Sequence, residues 1–213
     1  MKELLVAIYQ KMYEVLGAQR WWPGETQMEV AIGAILTQNT AWSNVEKAIY
    51  NLKQKVPLDA FKINALLDAE LAELIKPTGY YNIKAKRLKT FLFYLIETYD
   101  GSMENMQNVD TASLREELLN VKGVGAETAD SILLYALERP VFVIDAYTKR
   151  ILSRHKVLAY KMPYEDFQDL FHSNLSPDVE LYNEYHALFV NVGKNFCKTA
   201  NPKCTVCPLA KFL

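Results

Sequence analysis

Apolar residues recur at intervals of three or four along most of this chain, and glycine or proline separates the recurring stretches. In the first 16 residues they are Leu4, Leu5, Ile8, Met12, Val15 and Leu16, which is the spacing of an amphipathic helix. Stretches near 28–37, 45–52, 81–96, 113–120, 128–138 and 179–196 favour helices in the same way. No stretch alternates apolar and polar residues as a half-buried strand does. The sequence therefore predicts an all-α protein.

The composition limits the size of the protein and its partners. The chain has 213 residues, half of them hydrophobic, which suffices for one large or two small domains. Its net charge is −1, so contact with nucleic acid requires a local basic face rather than a general attraction. No apolar run reaches the roughly 18 residues of a membrane span, and the polar start, with Glu3 and Lys11, is unlike a secretory signal.

A turn with two glycines lies between two of the predicted helices, at residues 121–130. Gly123 and Gly125 bracket Val124, and glycine permits backbone conformations and close approaches that other residues resist. The N–H groups that open the second helix have no partners within it and favour an anion, such as a DNA phosphate. A plain joint between two helices that needs a glycine cap gives the same pattern, so both interpretations stay open here.

Basic and aromatic clusters offer further candidates for binding. One predicted helix carries four positive charges within six residues, at Lys84, Lys86, Arg87 and Lys89. Such a cluster is either a phosphate-facing patch or a solvated helix face. Trp21 and Trp22 precede a Pro–Gly pair in a loop, where two indoles either plug a core or line a pocket.

Four apolar residues at 141–144 lead directly to Asp145. Aspartate is favoured as the N-cap of a helix, and a helical pattern follows it here. A carboxylate at the end of a buried segment is also where a catalytic anion can be held partly desolvated. His186 lies beside the apolar face of a later helix, where a histidine is more often a satisfied core residue than a ligand.

The three cysteines, Cys197, Cys204 and Cys207, all lie within the last 17 residues. Their odd number and clustering argue against a disulfide framework and for a metal site in a reducing cytosol. The Cys-x6-Cys-x2-Cys spacing suits a tetrahedral metal or an iron–sulfur cluster, each of which normally takes four ligands. No fourth cysteine exists in the chain, and three thiols without a metal are the alternative.

Together these motifs resemble the endonuclease III-like, helix-hairpin-helix superfamily of DNA glycosylases along nearly the whole chain. The resemblance rests on the hairpin at 119–129, the segment 143–150 and the cysteine-containing stretch 182–209. It implies two helical lobes: a six-helix barrel at 20–133 that ends in the hairpin, and a lobe formed by 1–19 and 134–213. It also implies a base pocket between the lobes, double-stranded damaged DNA as partner, no membrane association, a monomer, and a cytoplasmic, nucleoid-associated location of the prokaryotic type.

The same resemblance assigns roles to individual residues. Asp145 is expected to be catalytic, and DNA contacts are expected from Gln38, Asn39, Lys84, Lys86, Arg87, Lys122, Gly123, Val124, Gly125 and Thr128. Gln38 matches the residue that fills the gap left by an extruded base. Bifunctional members carry a lysine nucleophile two residues after the second hairpin glycine, where this chain has Glu127. Since a carboxylate cannot form a Schiff base with the sugar, a monofunctional glycosylase without efficient lyase activity is expected.

The aromatic residues Trp21, Trp22, Pro23 and Trp42 resemble the base pocket of the 3-methyladenine DNA glycosylase III branch. An electron-rich slot suits a cationic methylated purine, so hydrolysis of the N-glycosidic bond of alkylated purines is the expected reaction. One alternative is an endonuclease III-type glycosylase and AP lyase that acts on oxidised pyrimidines. Another is a non-catalytic protein that binds DNA structure.

The family's cluster pattern, Cys-x6-Cys-x2-Cys-x5-Cys, places its last ligand at position 213, where this chain has leucine. The expectation is a [4Fe-4S] cluster on Cys197, Cys204 and Cys207 that either takes a non-cysteine fourth ligand or is incomplete. Members of the methyladenine branch can also lack the cluster, so its absence is the alternative.

Overall fold

The computed structural model describes residues 1–212, and its regular structure is helical. The helices are α1 Lys2–Leu16, α2 Gln27–Leu36, α3 Trp42–Lys55, α4 Ala60–Ala65, α5 Asp68–Leu74, α6 Tyr81–Tyr99, α7 Thr111–Asn120, α8 Ala126–Ser131, α9 Ala146–Arg154, α10 Tyr164–His172 and α11 Val179–Asn195. Residues 1–212 contain no β-strand, and the predicted all-α fold is confirmed. Within that range, no helix has the length and apolar character needed to span a bilayer. Position 213, the expected place of a fourth cluster ligand, lies outside the described residues.

The chain divides into two compact units. The hairpin unit comprises Pro23–Arg139, and the Asp145 unit combines Met1–Trp22 with Pro140–Leu213. The sequence predicts lobes at 20–133 and at 1–19 with 134–213, and their assignment as functional domains remains a prediction. The two units are described separately below.

The hairpin unit is built around α2. Nine of the ten residues of this helix are buried, because it is apolar on nearly every side and therefore belongs at the centre of a helical unit. Thr26 caps its start by accepting a hydrogen bond from the Glu29 N–H at 3.1 Å. The chain leaves the C-terminal end of α2 at Thr37 and continues into the polar loop that contains Gln38.

The Asp145 unit packs α9 and α1 against α11 and buries an aromatic cluster. Phe142 stacks on Phe171 with ring centroids 3.7 Å apart, and Tyr185 contacts both rings edge-on. The Tyr185 hydroxyl donates to the Leu5 carbonyl at 2.8 Å, so its polar end is satisfied inside the unit. This cluster anchors the extended segment that leads to Asp145.

One local expectation differs from the structure. The predicted continuous helix at 128–138 is interrupted, because α8 ends at Ser131 and a π-helical turn follows at Ile132–Ala136. The Ser131 hydroxyl donates to the Glu127 carbonyl at 2.6 Å, a back-bond that competes with the regular helical pattern.

Candidate functional site

The glycine turn joins α7 to α8 in the hairpin unit. Gly123 has a φ of +100°, a conformation that side chains resist, and a Cβ there would collide with the side chain of Arg87. Val124 is buried, whereas Lys122 and Gly125 are exposed. The turn therefore presents Lys122 and Gly125 at the surface beside the start of α8, where a helix favours an anion.

A buried ion pair holds the two helices of the turn together. The Arg115 guanidinium donates to both carboxylate oxygens of Asp130, at 2.6 Å and 3.1 Å. Asp130 is fully buried, and the bidentate pairing fixes α8 relative to α7. Neither residue was expected from the sequence to support the turn. An arginine and an aspartate 15 residues apart across a turn are the only sequence signal.

Gln38 binds the hairpin instead of projecting freely. Its Nε2 donates to the Gly123 carbonyl and to the Thr128 Oγ1, each at 3.0 Å, and its Oε1 accepts from Arg87 Nη1. The structure thus brings Gln38, Arg87 and the turn together. Thr128 is buried, so its expected DNA contact is restricted to its backbone N–H. Gap filling by Gln38 remains a prediction that requires these bonds to break.

Lys84 does not fit the phosphate-contacting role expected from the sequence. It is 2% exposed, and its Nζ donates to the carbonyls of Leu36 and Thr78, both at 2.8 Å. Burial, aided by the nearby charge of Arg87, lowers the pKa of Lys84 to about 8. Lys84 thus secures the C-terminal end of α2, and the basic surface of α6 consists of Lys86 and the half-buried Arg87.

Other candidate residues of the hairpin unit lie in exposed or strained positions. Asn39 is exposed with a φ of +55°, and Trp42 is half-buried at the first position of α3. Pro23 is exposed. Tyr80, which the sequence reading missed, is 71% exposed with a φ of +47° directly before α6. An aromatic side chain held exposed on a strained backbone is a candidate for a binding contact, and the Gly79-Tyr80-Tyr81 sequence was its only signal.

Asp145 caps α9, as the sequence predicted. Its Oδ1 accepts a hydrogen bond from the Thr148 N–H at 2.7 Å, and the side chain is largely buried. Side chains of α10 hold the preceding segment: the Phe142 N–H donates to His172 Nε2 at 2.9 Å, and the Ile144 N–H donates to the Tyr164 hydroxyl at 3.1 Å. These bonds replace the sheet partners that an extended segment normally has, and they fix the position of Asp145.

The second oxygen of Asp145 faces a histidine. His186 Nε2 lies 3.8 Å from Asp145 Oδ2, and both side chains are buried. Burial lowers the pKa of His186 below its usual value, an effect that the Asp145 carboxylate partly opposes. The imidazole is therefore neutral at pH 7.

The paired indoles also belong to the Asp145 unit. Trp21 and Trp22 meet edge to face with ring centroids 5.5 Å apart, and Lys194 Nζ lies 5.8 Å from the Trp21 ring centre. Both indoles are half-buried. Nearby, the Gln19 N–H donates to Glu184 at 2.7 Å, which ties the start of the loop to α11. The loop is therefore anchored while part of each ring remains accessible, as a stacking surface requires.

The cysteine loop is attached to α9 by two arginines. Arg150 donates to the carbonyls of Cys197 and Gly193, at 2.7 Å and 3.2 Å. Arg154 donates to Cys197 Sγ at 3.3 Å and to the carbonyl of Lys198 at 2.6 Å. These hydrogen bonds fix the loop that follows α11 to α9.

The three thiols do not form a complete cluster site. Burial raises the pKa of the Cys207 thiol, and Cys197 and Cys204 raise it further. Among residues 1–212, however, no three potential ligands are arranged to hold a metal ion. The described residues therefore do not fit a cluster with four protein ligands.

Comparison with known proteins gives consistent matches. A model of the HhH-GPD superfamily of base excision DNA repair proteins matches residues 32–177. A protein of Methanocaldococcus jannaschii, named provisionally as a DNA repair glycosylase, is 50% identical over 212 residues, which cover 99% of this chain and 96% of its own. Endonuclease III of Thermotoga maritima is 31% identical over 180 residues, with 84% of this chain and 78% of its own covered.

Solved structures give the same result. H. pylori 3-methyladenine DNA glycosylase bound to 1,N6-ethenoadenine has a TM-score of 0.74 at 30% identity, covering 91% of this chain and 96% of its own. A covalent endonuclease III–DNA intermediate has a TM-score of 0.86 at 21% identity. The match covers 100% of this chain and 95% of its own, which shows a shared fold.

Proposed function

Because this chain belongs to the HhH-GPD superfamily of base excision DNA repair proteins, we propose that it is a monofunctional DNA glycosylase for alkylated purines such as 3-methyladenine. Membership of this family supports the assignment of the protein as a DNA glycosylase. The substrate and the absence of strand cleavage are the proposal. Its partner would be double-stranded damaged DNA, bound by a monomer in the cytoplasm.

The geometry of Asp145 carries this proposal. One carboxylate oxygen is occupied by the N-terminus of α9, and the buried segment before it holds the backbone in place. The other oxygen is not used by the cap. A fixed, partly desolvated carboxylate interacts strongly with positive charge, which is what develops on the sugar when an N-glycosidic bond breaks.

The proposed reaction begins with DNA binding by the hairpin. The N–H groups after Gly125, together with the exposed Lys86 and Lys122, bind backbone phosphates, and the damaged nucleotide flips out at a cost of a few kcal/mol. The bond from C1′ to the base nitrogen then breaks, and the electron pair leaves with the base. Asp145 stabilises the cationic sugar and accepts a proton from the water that attacks C1′. The products are the free base and an abasic site.

Glu127 supports the monofunctional assignment. It is exposed in the first turn of α8, two residues after Gly125, where the bifunctional members of this family carry a lysine nucleophile. A carboxylate cannot form a Schiff base with C1′, so the β-elimination that nicks the strand has no covalent intermediate from this position.

Aromatic side chains support the choice of substrate. Trp22 and Trp42 match the stacking residues of the methyladenine branch, and the H. pylori member of that branch is 30% identical to this chain. A methylated purine is cationic and already a good leaving group. Its binding therefore depends more on an electron-rich aromatic surface than on a proton donor.

We expect Trp42→Ala to weaken excision of alkylated purines by roughly tenfold or more, because a base–aromatic stack contributes about 1–3 kcal/mol. The measurement is the single-turnover rate of abasic-site formation on duplexes that carry 3-methyladenine, ethenoadenine, uracil or thymine glycol. Tyr50→Ala is the matched control, since Tyr50 is an aromatic residue of the same helix that is 64% exposed. An equal loss on every lesion would show that Trp42 is structural, and excision of thymine glycol alone would support the endonuclease III-type alternative.

A three-thiolate iron–sulfur cluster on Cys197, Cys204 and Cys207 remains part of the proposal as a structural element. The Cys-x6-Cys-x2-Cys spacing supports it. The missing fourth thiol opposes it, as does the lack, among residues 1–212, of three ligands arranged around a metal ion. Iron and sulfide content of anaerobically purified protein, compared with that of Cys207→Ser, decides between a cluster and a loop held only by Arg150 and Arg154.

A further inference from the structure

His186 is a buried histidine that the proposed reaction does not use. It lies on α11 with 5% of its surface exposed, and its Nε2 lies 3.8 Å from Asp145 Oδ2. Because Asp145 Oδ1 is bound to the Thr148 N–H, Oδ2 is the oxygen that the cap leaves for other interactions. The imidazole therefore faces the part of the carboxylate that the reaction requires.

The surroundings of His186 restrict its movement. The nearby residues of α11, Tyr182, Tyr185 and Phe189, are almost completely buried, and Tyr185 stacks on Phe189 with ring centroids 4.8 Å apart. The Tyr185 hydroxyl is bound to the Leu5 carbonyl on α1. His186 therefore lies on a deeply buried part of α11, and protein interiors are close-packed.

Asp145 is the charged group that acts on this imidazole. On α9, Lys149 donates to the Met162 carbonyl, whereas Arg150 and Arg154 donate to the cysteine loop. On α1, Tyr9 is a neutral phenol whose pKa is raised by burial, and burial also raises the pKa of Tyr185 well above its usual value. The pKa of His186 is lowered by burial and raised in part by Asp145.

We propose that His186 is a positioning residue for Asp145: its neutral imidazole packs against Oδ2 at 3.8 Å, a distance longer than a hydrogen bond, and its protonation neutralises the carboxylate and switches excision off. The inference rests on the proposed function of Asp145. Above the pKa of His186 the carboxylate charge is free to stabilise a cationic sugar. As pH falls through that pKa, an imidazolium forms next to Oδ2 and pairs with it, so the charge available to the sugar decreases.

The pH dependence of single-turnover excision tests this role. His186→Gln places a neutral amide near the position of Nε2 but cannot titrate. In the plot of excision rate against pH, we expect the plateau rate of this variant to stay within a few fold of the wild-type value. The acidic limb of the same plot is expected to move to lower pH by half a unit or more. His186→Leu removes the polar contact and is expected to lose at least tenfold at every pH. An acidic limb that is identical in the wild type and in His186→Gln overturns the proposal.

A second test is an NMR titration, which requires neither enzymatic activity nor a substitution at His186. The imidazole signals of the full-length, DNA-free protein are titrated by NMR in the wild type and in Asp145→Asn. We expect the pKa of His186 to fall further in Asp145→Asn, because the charge that raises it is gone, and to stay unchanged in the control Asp178→Asn. No change in Asp145→Asn overturns the inference even if excision is normal. If the pKa of His186 shifts clearly in Asp145→Asn but the wild-type protein excises no lesion, the interaction of His186 with Asp145 stands and the proposed function is rejected instead.

Discussion

Asp145→Asn is expected to reduce base excision by about a thousandfold while leaving folding and DNA binding nearly unchanged. Asparagine is as good an N-cap as aspartate, so its side-chain oxygen continues to accept from the Thr148 N–H that Asp145 Oδ1 now binds at 2.7 Å. The negative charge is lost, however, and with it the stabilisation of the cationic sugar and the acceptance of a proton from water. Single-turnover release of 3-methyladenine from duplex DNA, with the affinity measured by fluorescence anisotropy, gives both quantities.

Asp178→Asn is the matched control for this variant. Asp178 caps α11 in the same way, with its Oδ1 2.8 Å from the Leu181 N–H, but it is exposed. The control therefore makes the same chemical change at another N-cap of the same unit and should excise at the wild-type rate. A turnover of Asp145→Asn within a few fold of the wild type would remove Asp145 from catalysis. Equal losses in both variants would mean that the caps act only through stability.

Arg115→Met is expected to lower the free energy of unfolding by about 3 kcal/mol or more, the second large effect that follows from the structure. The substitution leaves the Asp130 carboxylate, which is fully buried, without the guanidinium that now binds both of its oxygens. Methionine retains much of the apolar stem of arginine, so the loss reports the missing charge rather than a cavity. Denaturant unfolding monitored by circular dichroism measures it.

The double variant Arg115→Met with Asp130→Leu shows whether the stability lost in Arg115→Met comes from the unpaired Asp130 charge or from a loosened turn between α7 and α8. Replacing both partners of a buried ion pair by apolar side chains is often nearly neutral, so we expect the double variant to recover more than half of the loss. If it is instead as unstable as Arg115→Met alone, the pair is needed for the geometry of α7 and α8 rather than for charge compensation. Unchanged stability in Arg115→Met would contradict the assigned role of the pair.

The features predicted from the sequence are those that depend on local rules. The cap at Asp145 follows from an apolar segment, an aspartate and a helical pattern in succession, and the structure confirms it. The turn at Gly123 was indicated by its two glycines, and its φ of +100° agrees with the conformational freedom expected there. Both features are determined within a few residues, so no tertiary information is needed to predict them.

The features that sequence reasoning missed depend on contacts between distant residues. Lys84 looked like a member of a phosphate patch, but its ammonium binds the Leu36 carbonyl, 48 residues away. No sequence pattern singled out Arg115 and Asp130, which together hold the turn. His186 was expected to be a satisfied core residue, and its burial agrees with that, but its position 3.8 Å from Asp145 required the packing of α11 on α9. A polar residue's role depends on its partner, which spacing along the chain does not identify.

Strand analysis of a duplex that contains a single 3-methyladenine tests the central claim, base release without strand cleavage, most directly. The labelled strand is examined after incubation with the wild-type protein, with and without subsequent alkali, and in parallel with borohydride. We predict free base, an intact strand until alkali cleaves it at the abasic site, and no covalent protein–DNA complex, because Glu127 stands where a lysine would react. A strand that is cleaved before alkali, together with a complex trapped by borohydride, would contradict the account.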